Sequence, residues 1–168
     1  MEQLFILSVL VNNQFGVLTR LSGLFARRGY NIDALSVAET ENPAYSRMTV
    51  VVGGDDYVLE QIVKQLEKQV DVRQVERVRA ASAILRELLL VKVAHDAQNK
   101  QDILAVANLF NARVADWSDR TLTLELTDQP DIVSAFIDRL RAFSIVEICR
   151  TGMTAIPRGD EKAGGEAH

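Results

Sequence analysis

The sequence predicts an α+β chain made of two tandem units, each ordered strand, helix, strand, strand, helix, strand. Three observations predict it. Short β-branched runs alternate with segments whose apolar residues recur at helical spacing. The same element order occurs twice without repeating the residues. The 168 residues, 48% of them hydrophobic, are enough for two small cores.

In the first unit, Leu4 to Val11 is apolar except at Ser8, and its length and β-branched content favour a strand in the middle of a sheet. After a loop from Asn12 to Gly16, Val17, Leu18, Leu21, Leu24 and Phe25 follow the i, i+3, i+4, i+7 pattern of a helix with one buried face. Gly29 stands where a left-handed cap is expected, and Arg27 and Arg28 suit the negative end of the helix dipole. Ile32 to Glu39 and Ser46 to Gly53 read as a hairpin around "TENPAY". Asp55 and Asp56 can start a second helix, whose apolar stripe is Val58, Leu59, Ile62, Val63 and Leu66; Glu60 and Lys64 pair on its solvated face. Val70 to Val78 closes the unit as a strand with one irregular step in its alternation.

In the second unit, Arg86 to Ala94 reads as a strand, and Ile103, Leu104, Ala107 and Phe110 mark a helix that Asn99 can begin. "ARVADW" and "TLTLELT" are strands around the turn "SDR", and the strict alternation of Leu122, Leu124 and Leu126 means one buried face. Asp128 precedes Pro130 as a cap precedes an early helical proline, ahead of the stripe Ile132, Val133, Phe136, Ile137 and Leu140. "SIVEICRTG" is the last strand. Each unit is thus expected to be ferredoxin-like: a four-stranded antiparallel sheet with two helices on one face. "RAASA", Arg79 to Ala83, predicts a short connection. A sheet covered on one side is expected to leave Phe5, Leu7 and Val9 bare, or to leave edges that can pair, with self-association as the remedy.

Composition limits what such a chain can do. There are 9 basic and 10 acidic residues before Ala80, and 10 and 13 after it. Neither half has the basic face that nucleic acid requires, and Phe5 alone does not make an RNA-binding sheet. The single Cys149 excludes an intramolecular disulfide. The start "MEQLFILSVL" lacks the features of a secretory signal, and its apolar run is too short for a bilayer. The expectation is a cytoplasmic protein with no membrane contact. His95, His168 and Cys149 have no partners at catalytic or zinc spacing, so no catalytic or metal site is expected. Trp117 reads as a core or sheet-face aromatic beside a turn.

The stretch "NNQFGVLTRLSGLFARRGYNI", Asn12 to Ile32, is more informative. The first N–H groups of a helix lack partners within it, so the turn from Phe15 to Leu18 offers donors and a partial positive charge to an anion. Gly16 permits a tight turn and close approach. Asn12, Asn13 and, across the sheet end, Asn31 add neutral polar groups, and no Lys or Arg lies between Asn12 and Thr19. That set suits the head of an amino acid better than a phosphate. The same residues also serve as turn formers and a helix cap, and spacing leaves both readings open.

"LSVLVNNQFGVLTRLSGLFARRGYNIDALSVAETENPAYSRMTVVV" resembles the amino-terminal ACT domain of the small, regulatory subunits of acetolactate synthase (acetohydroxyacid synthase), above all in "N-x-x-G-V-L-x-R", "LFARRGYNI" and "SRMT". "ELLLVKV", "TLTLELT" and "RTG" extend the resemblance over residues 3–159. It implies an ACT domain at 1–79 and a second ferredoxin-like domain at 84–158; the tail at 159–168, polar, Gly-rich and without a cap, reads as disordered by its composition. It further implies ACT dimers joined edge to edge, with valine at the interface. Asn13, Gly16, Val17, Leu18, Asn31 and Ile32 would contact the valine, and Asn12, Thr19 and Ala38 would shape its pocket. Leucine or isoleucine could act there too.

The resemblance implies that this chain binds no cofactor of its own. Its partner would be a large catalytic subunit carrying thiamine diphosphate, Mg2+ and usually FAD, which joins two pyruvates, or pyruvate with 2-oxobutanoate, in branched-chain amino acid (valine and isoleucine) biosynthesis. The small subunit would activate it and confer feedback inhibition by valine. Asn111 and Met153 stand where a basic residue is common in the family. Two alternatives remain at this stage: an ACT-type sensor for another amino-acid enzyme, and a self-contained enzyme on the same scaffold.

Overall fold

The computed structural model describes residues 3–160; the expected disorder of the tail falls, from residue 161 onward, outside the described residues. The described chain divides into two compact units, residues 3–84 with 153–160, and residues 85–152.

The first unit contains β1 (Gln3–Asn12), α1 (Val17–Arg28), β2 (Ile32–Glu39), β3 (Tyr45–Gly54), α2 (Asp56–Glu67) and β4 (Val72–Val78). Its sheet has the order β2-β3-β1-β4, and every neighbouring pair is antiparallel. Gly29 ends α1 at φ 70°, and the Asp55 carboxylate caps α2 by accepting from the Val58 amide at 2.8 Å. Glu60 and Lys64 form the expected pair at 2.6 Å. The irregular step in β4 is a bulge: Leu10 pairs with Gln74 but Val11 with Val72, so Val72 and Val75 both pack on the core although three residues apart. Val70, expected in this strand, lies in the preceding turn and is exposed.

One expectation is overturned. Phe5, Leu7 and Val9 are not bare; each is at most 3% exposed. Paired with Val52, Val50 and Met48, they form the face on which Leu21, Leu24 and Phe25 of α1 and Leu59, Ile62 and Leu66 of α2 pack. The opposite face carries Leu4, Ser8, Thr49, Ser36, Ala38 and Arg47, with Arg47 Nη1 donating to Ser8 Oγ at 2.8 Å. A run that is apolar at every position but Ser8 has almost no alternation, so it says that a strand is central with little to say which side meets the helices.

The second unit has β5 (Ala83–Ala94), α3 (Lys100–Leu109), β6 (Arg113–Trp117), β7 (Thr121–Asp128), α4 (Pro130–Leu140) and β8 (Ile145–Arg150), in the sheet order β6-β7-β5-β8. Its core joins Leu89, Val91 and Val93 to Leu122, Leu124 and Leu126 under Ile103, Ala107, Val133, Phe136 and Leu140. Asn99 does precede α3, but its side chain accepts from the Asp96 amide while Asp96 Oδ1 accepts from Gln98 and Asn99. Those two backbone donors, Asn99 first, hold the Asp96 carboxyl below its usual pKa. Asn111 closes α3 at φ 55°, a left-handed position that Asn tolerates better than most side chains, which accounts for Asn there. Gln129, not Asp128, is the N-cap of α4, and it makes no side-chain cap; Pro130 is at the helix start as expected.

Two features at the end of the chain were not expected. β5 begins at Ala83, three residues before the predicted start, and a ninth strand, β9 (Thr154–Pro157), pairs with it. The Arg158 amide donates to Ser82 O at 2.9 Å and its Nε to Ala83 O at 3.1 Å. Ser82 and Ala83 belong to the first unit, with which residues 153–160 group. The connection itself is a single 3₁₀ turn, Ala80–Ser82.

The assignment of faces is checked by truncation. Leu7→Ala, at a fully buried site, should destabilise the first unit by about 2–5 kcal/mol, whereas Leu4→Ala, at a site 63% exposed, should cost less than about 1 kcal/mol in urea unfolding.

Candidate functional site

The loop between β1 and α1 is held from two sides. On one side the Asn13 amide donates to Ala44 O at 2.8 Å, and Asn13 Nδ2 donates to Glu39 Oε2 at 3.1 Å and to Pro43 O at 3.0 Å. These partners belong to the end of β2 and the hairpin turn, which Asn42 shapes by accepting from the Ala44 amide. On the other side the Asn12 amide donates to Asp71 O at 2.8 Å, and Asn12 Oδ1 accepts from Arg73 Nε at 2.8 Å. With both Nδ2 donations made inside the chain, Asn13 keeps its Oδ1 without a donor among the described residues.

Gly16 is the N-cap of α1 at φ 80°, ψ −5°, a conformation that favours glycine. No side chain caps this helix and no acidic residue lies in its first turn. Among the described residues the amides of Leu18 and Thr19 have no acceptor, so the helix end presents donors outward. Val17 is buried beneath the turn, while Phe15 and Leu18 are exposed.

A cation also belongs to this corner, and counting residues 12–19 missed it. Arg20 follows Gly16 by one helical turn, and helical side chains lean toward the N-terminus. Its Nε and Nη2 lie 2.8 and 2.7 Å from Asp71 Oδ2, and Nη1 would be 2.8 Å from a Cβ placed on Gly16. The available signal was the final Arg of "N-x-x-G-V-L-x-R".

The expected site residues fall into two groups. Asn12, Asn13, Gly16, Val17, Leu18 and Thr19 are at one end of the sheet, and Ala38, in register with Leu10 through Arg47, is near that end. Ile32 is in register with Phe5 through Val52, so Asn31 and Ile32 lie at the other end. Six strand positions from Phe5 to Val11 correspond to roughly 20 Å. Asn31 therefore does not face Asn13 within one chain, contrary to its expected place across the same sheet end; its Nδ2 instead donates to Asp33 Oδ1 at 3.0 Å. β2 is the edge strand between the two groups.

His95 Nε2 is 2.9 Å from Ser118 O, its ring meets Trp117 edge-on at 6.3 Å, and Lys100 Nζ is 3.9 Å above the Trp117 ring. Cys149 pairs in register with Leu90 of β5, a strand that ends at Ala94 just before His95, and is exposed. Among the described residues no group of three or more His, Cys, Asp or Glu is placed to hold a metal ion. No described helix is long and apolar enough to cross a membrane.

The first ferredoxin-like unit, with an open helix terminus after its first strand, is of the ACT-domain class, and a second ferredoxin-like unit follows it. Residues 7–74 match the family described as AHAS small subunit-like ACT domain, and residues 86–159 match the small subunit of acetolactate synthase. The chain is 42% identical over 158 residues to the acetolactate synthase small subunit of Mycolicibacterium smegmatis, covering 94% of this chain and 93% of that one. It is 40% identical over 157 residues to the acetolactate synthase isozyme 3 small subunit of Salmonella typhimurium, covering 93% and 96%. The crystal structure of the acetolactate synthase small subunit from Thermotoga maritima matches 95% of this chain and 99% of its own at TM-score 0.88 and 37% identity. The chain belongs to the family of acetolactate synthase small subunits, the regulatory subunits of that enzyme, whose name implies a large catalytic partner.

The double anchoring of the loop makes a direct prediction. Asn13→Ala removes the bonds to Glu39 and Pro43, so amide hydrogen exchange at residues 13–16 should quicken. Because these bonds are exposed, global stability should fall by no more than about 1 kcal/mol. Unchanged exchange would mean that the backbone bonds alone hold the loop.

Proposed function

We propose that this chain binds valine between the ACT domains of two copies, activates a catalytic acetolactate synthase subunit and makes it sensitive to valine. The observation that carries the reading is the separation of the two corners. Antiparallel pairing of β2 with β2 of a second copy would set Asn31 and Ile32 of one chain beside Glu39, Ala38 and the Asn13–Gly16 loop of the other. One chain would supply helix-end donors for the carboxylate and Asn13 Oδ1 for the ammonium; its partner would supply the wall containing Asn31. Two identical pockets follow from the twofold axis. Leucine or isoleucine would also fit, since one methylene changes affinity by only about 1–3 kcal/mol.

Valine can regulate only by binding two arrangements of the dimer unequally; a tenfold preference corresponds to about 1.4 kcal/mol of coupling. The catalytic subunit would hold thiamine diphosphate, Mg2+ and FAD and perform the condensation of 2-oxo acids in the cytoplasm. This chain would contribute no group to that chemistry.

Co-purification with the cognate catalytic subunit should raise acetolactate formation, and valine should lower it again; absence of stimulation would remove the regulatory reading. The shared pocket has its own check by complementation. Gly16→Asp strains a left-handed position and places a carboxylate where the ligand's should sit, and Asn31→Ala empties the opposite wall. Each variant alone should lose at least tenfold in valine affinity by calorimetry. Mixed and allowed to exchange, they should regain about a quarter of the wild-type sites, because each heterodimer has one intact pocket. No recovery would show that the two groups do not meet across a dimer.

A further inference from the structure

We infer that Arg20, fixed by Asp71, is the cation that receives the carboxylate of the effector. The inference rests on the reading that the Gly16 corner binds an amino acid and assigns the charge recognition within it. Asp71 is buried, at 7% exposure, and its carbonyl oxygen accepts the Asn12 amide, so its position is set by the same loop that forms the site. Its Oδ2 receives both Nε and Nη2 of Arg20. The Arg20 side chain remains half exposed, and Nη1 has no acceptor among the described residues. That nitrogen occupies the side of Gly16 where a Cβ would point, at the residue that opens the helix whose Leu18 and Thr19 amides have no acceptor among the described residues.

A guanidinium held at two of its nitrogens loses little further freedom when the third binds, and charge-assisted bonds to a carboxylate are roughly twice as strong as neutral ones. The pair also explains why glycine suits position 16: any side chain there would displace the guanidinium as well as strain the backbone. An aspartate at that position would offer Arg20 a carboxylate from within the chain and so compete with the ligand for it. If Arg20 only stapled α1 to the turn before β4, its loss would loosen the loop without regard to the ligand's charge.

Valine and valinamide, which lacks the carboxylate, separate these roles. Calorimetry on the full chain should show wild type binding valine at least tenfold more tightly than valinamide. In Arg20→Gln that ratio should collapse toward one, chiefly through loss of valine affinity, and Arg20→Lys should fall between. Equal loss of both ligands, or wild-type valine affinity in Arg20→Gln, would overturn the assignment. A measurement without substitution guards against misfolding of the variants: the Arg20 guanidinium signals in ¹⁵N NMR should shift on valine addition, and unmoved signals would overturn it equally. If wild type binds neither ligand, the proposed function itself fails, which is distinct from an unchanged ratio in a chain that does bind valine.

Discussion

The antiparallel pairing of β3 with both β1 and β2 constrains everything that can happen at the edge of the first sheet. Two strands that share an antiparallel neighbour run parallel to each other, so the end of β1 and the start of β2 must lie at opposite ends of the sheet. The α1 helix makes the journey back. Its twelve residues rise about 18 Å, close to the length of the strands it covers. The Gly16 and Gly29 corners are therefore the two ends of one rod, and a small ligand cannot touch both in a single chain. An effector that needs both must recruit a second copy, which links binding to association by geometry alone.

The corner at Gly16 is prepared by long-range contacts. Asn12 and Arg20 both meet Asp71, which is more than fifty residues away, and Asn13 is bonded to the β2–β3 hairpin. Apolar packing beneath, through Val17, Leu21 and Phe25, fixes the helix against β1, and the polar ties then fix the loop on the helix. A loop held in this way would lose less freedom on binding a ligand than one that folds around it. The second unit rests on its own core, and the buried Glu87 carboxylate ties β5 to β8 through the more exposed Arg150, whose Nη2 also reaches Pro130 O and Ser134 Oγ at the start of α4.

Legibility of the fold followed locality. Gly29 as a left-handed cap, Asp55 as an N-cap and the alternating leucines of β7 all depend on neighbours within a few residues, and each stands as read. The uneven valines of β4 even marked a real bulge. Signals failed where two explanations shared one pattern. Phe5, Leu7 and Val9 belong to a run that is apolar on both sides, so their face was undetermined. Asp128 satisfies the amide of Gln129 at 2.7 Å instead of capping α4. β9 is four residues long and mostly exposed, with only Ala155 buried, too little pattern for any periodicity to reveal.

The sequence by itself determined the element order, the two cores and the family, because periodicity, capping and motif are properties of short segments. Only the tertiary structure decided that Asn13 and Asn31 are far apart, that Arg20 turns back on Gly16 toward Asp71, and that residues 153–160 return to the first unit. Those facts arise from strand direction and from contacts between residues distant along the chain. A linear spacing carries neither the direction of a strand in its sheet nor the partner of a charged side chain.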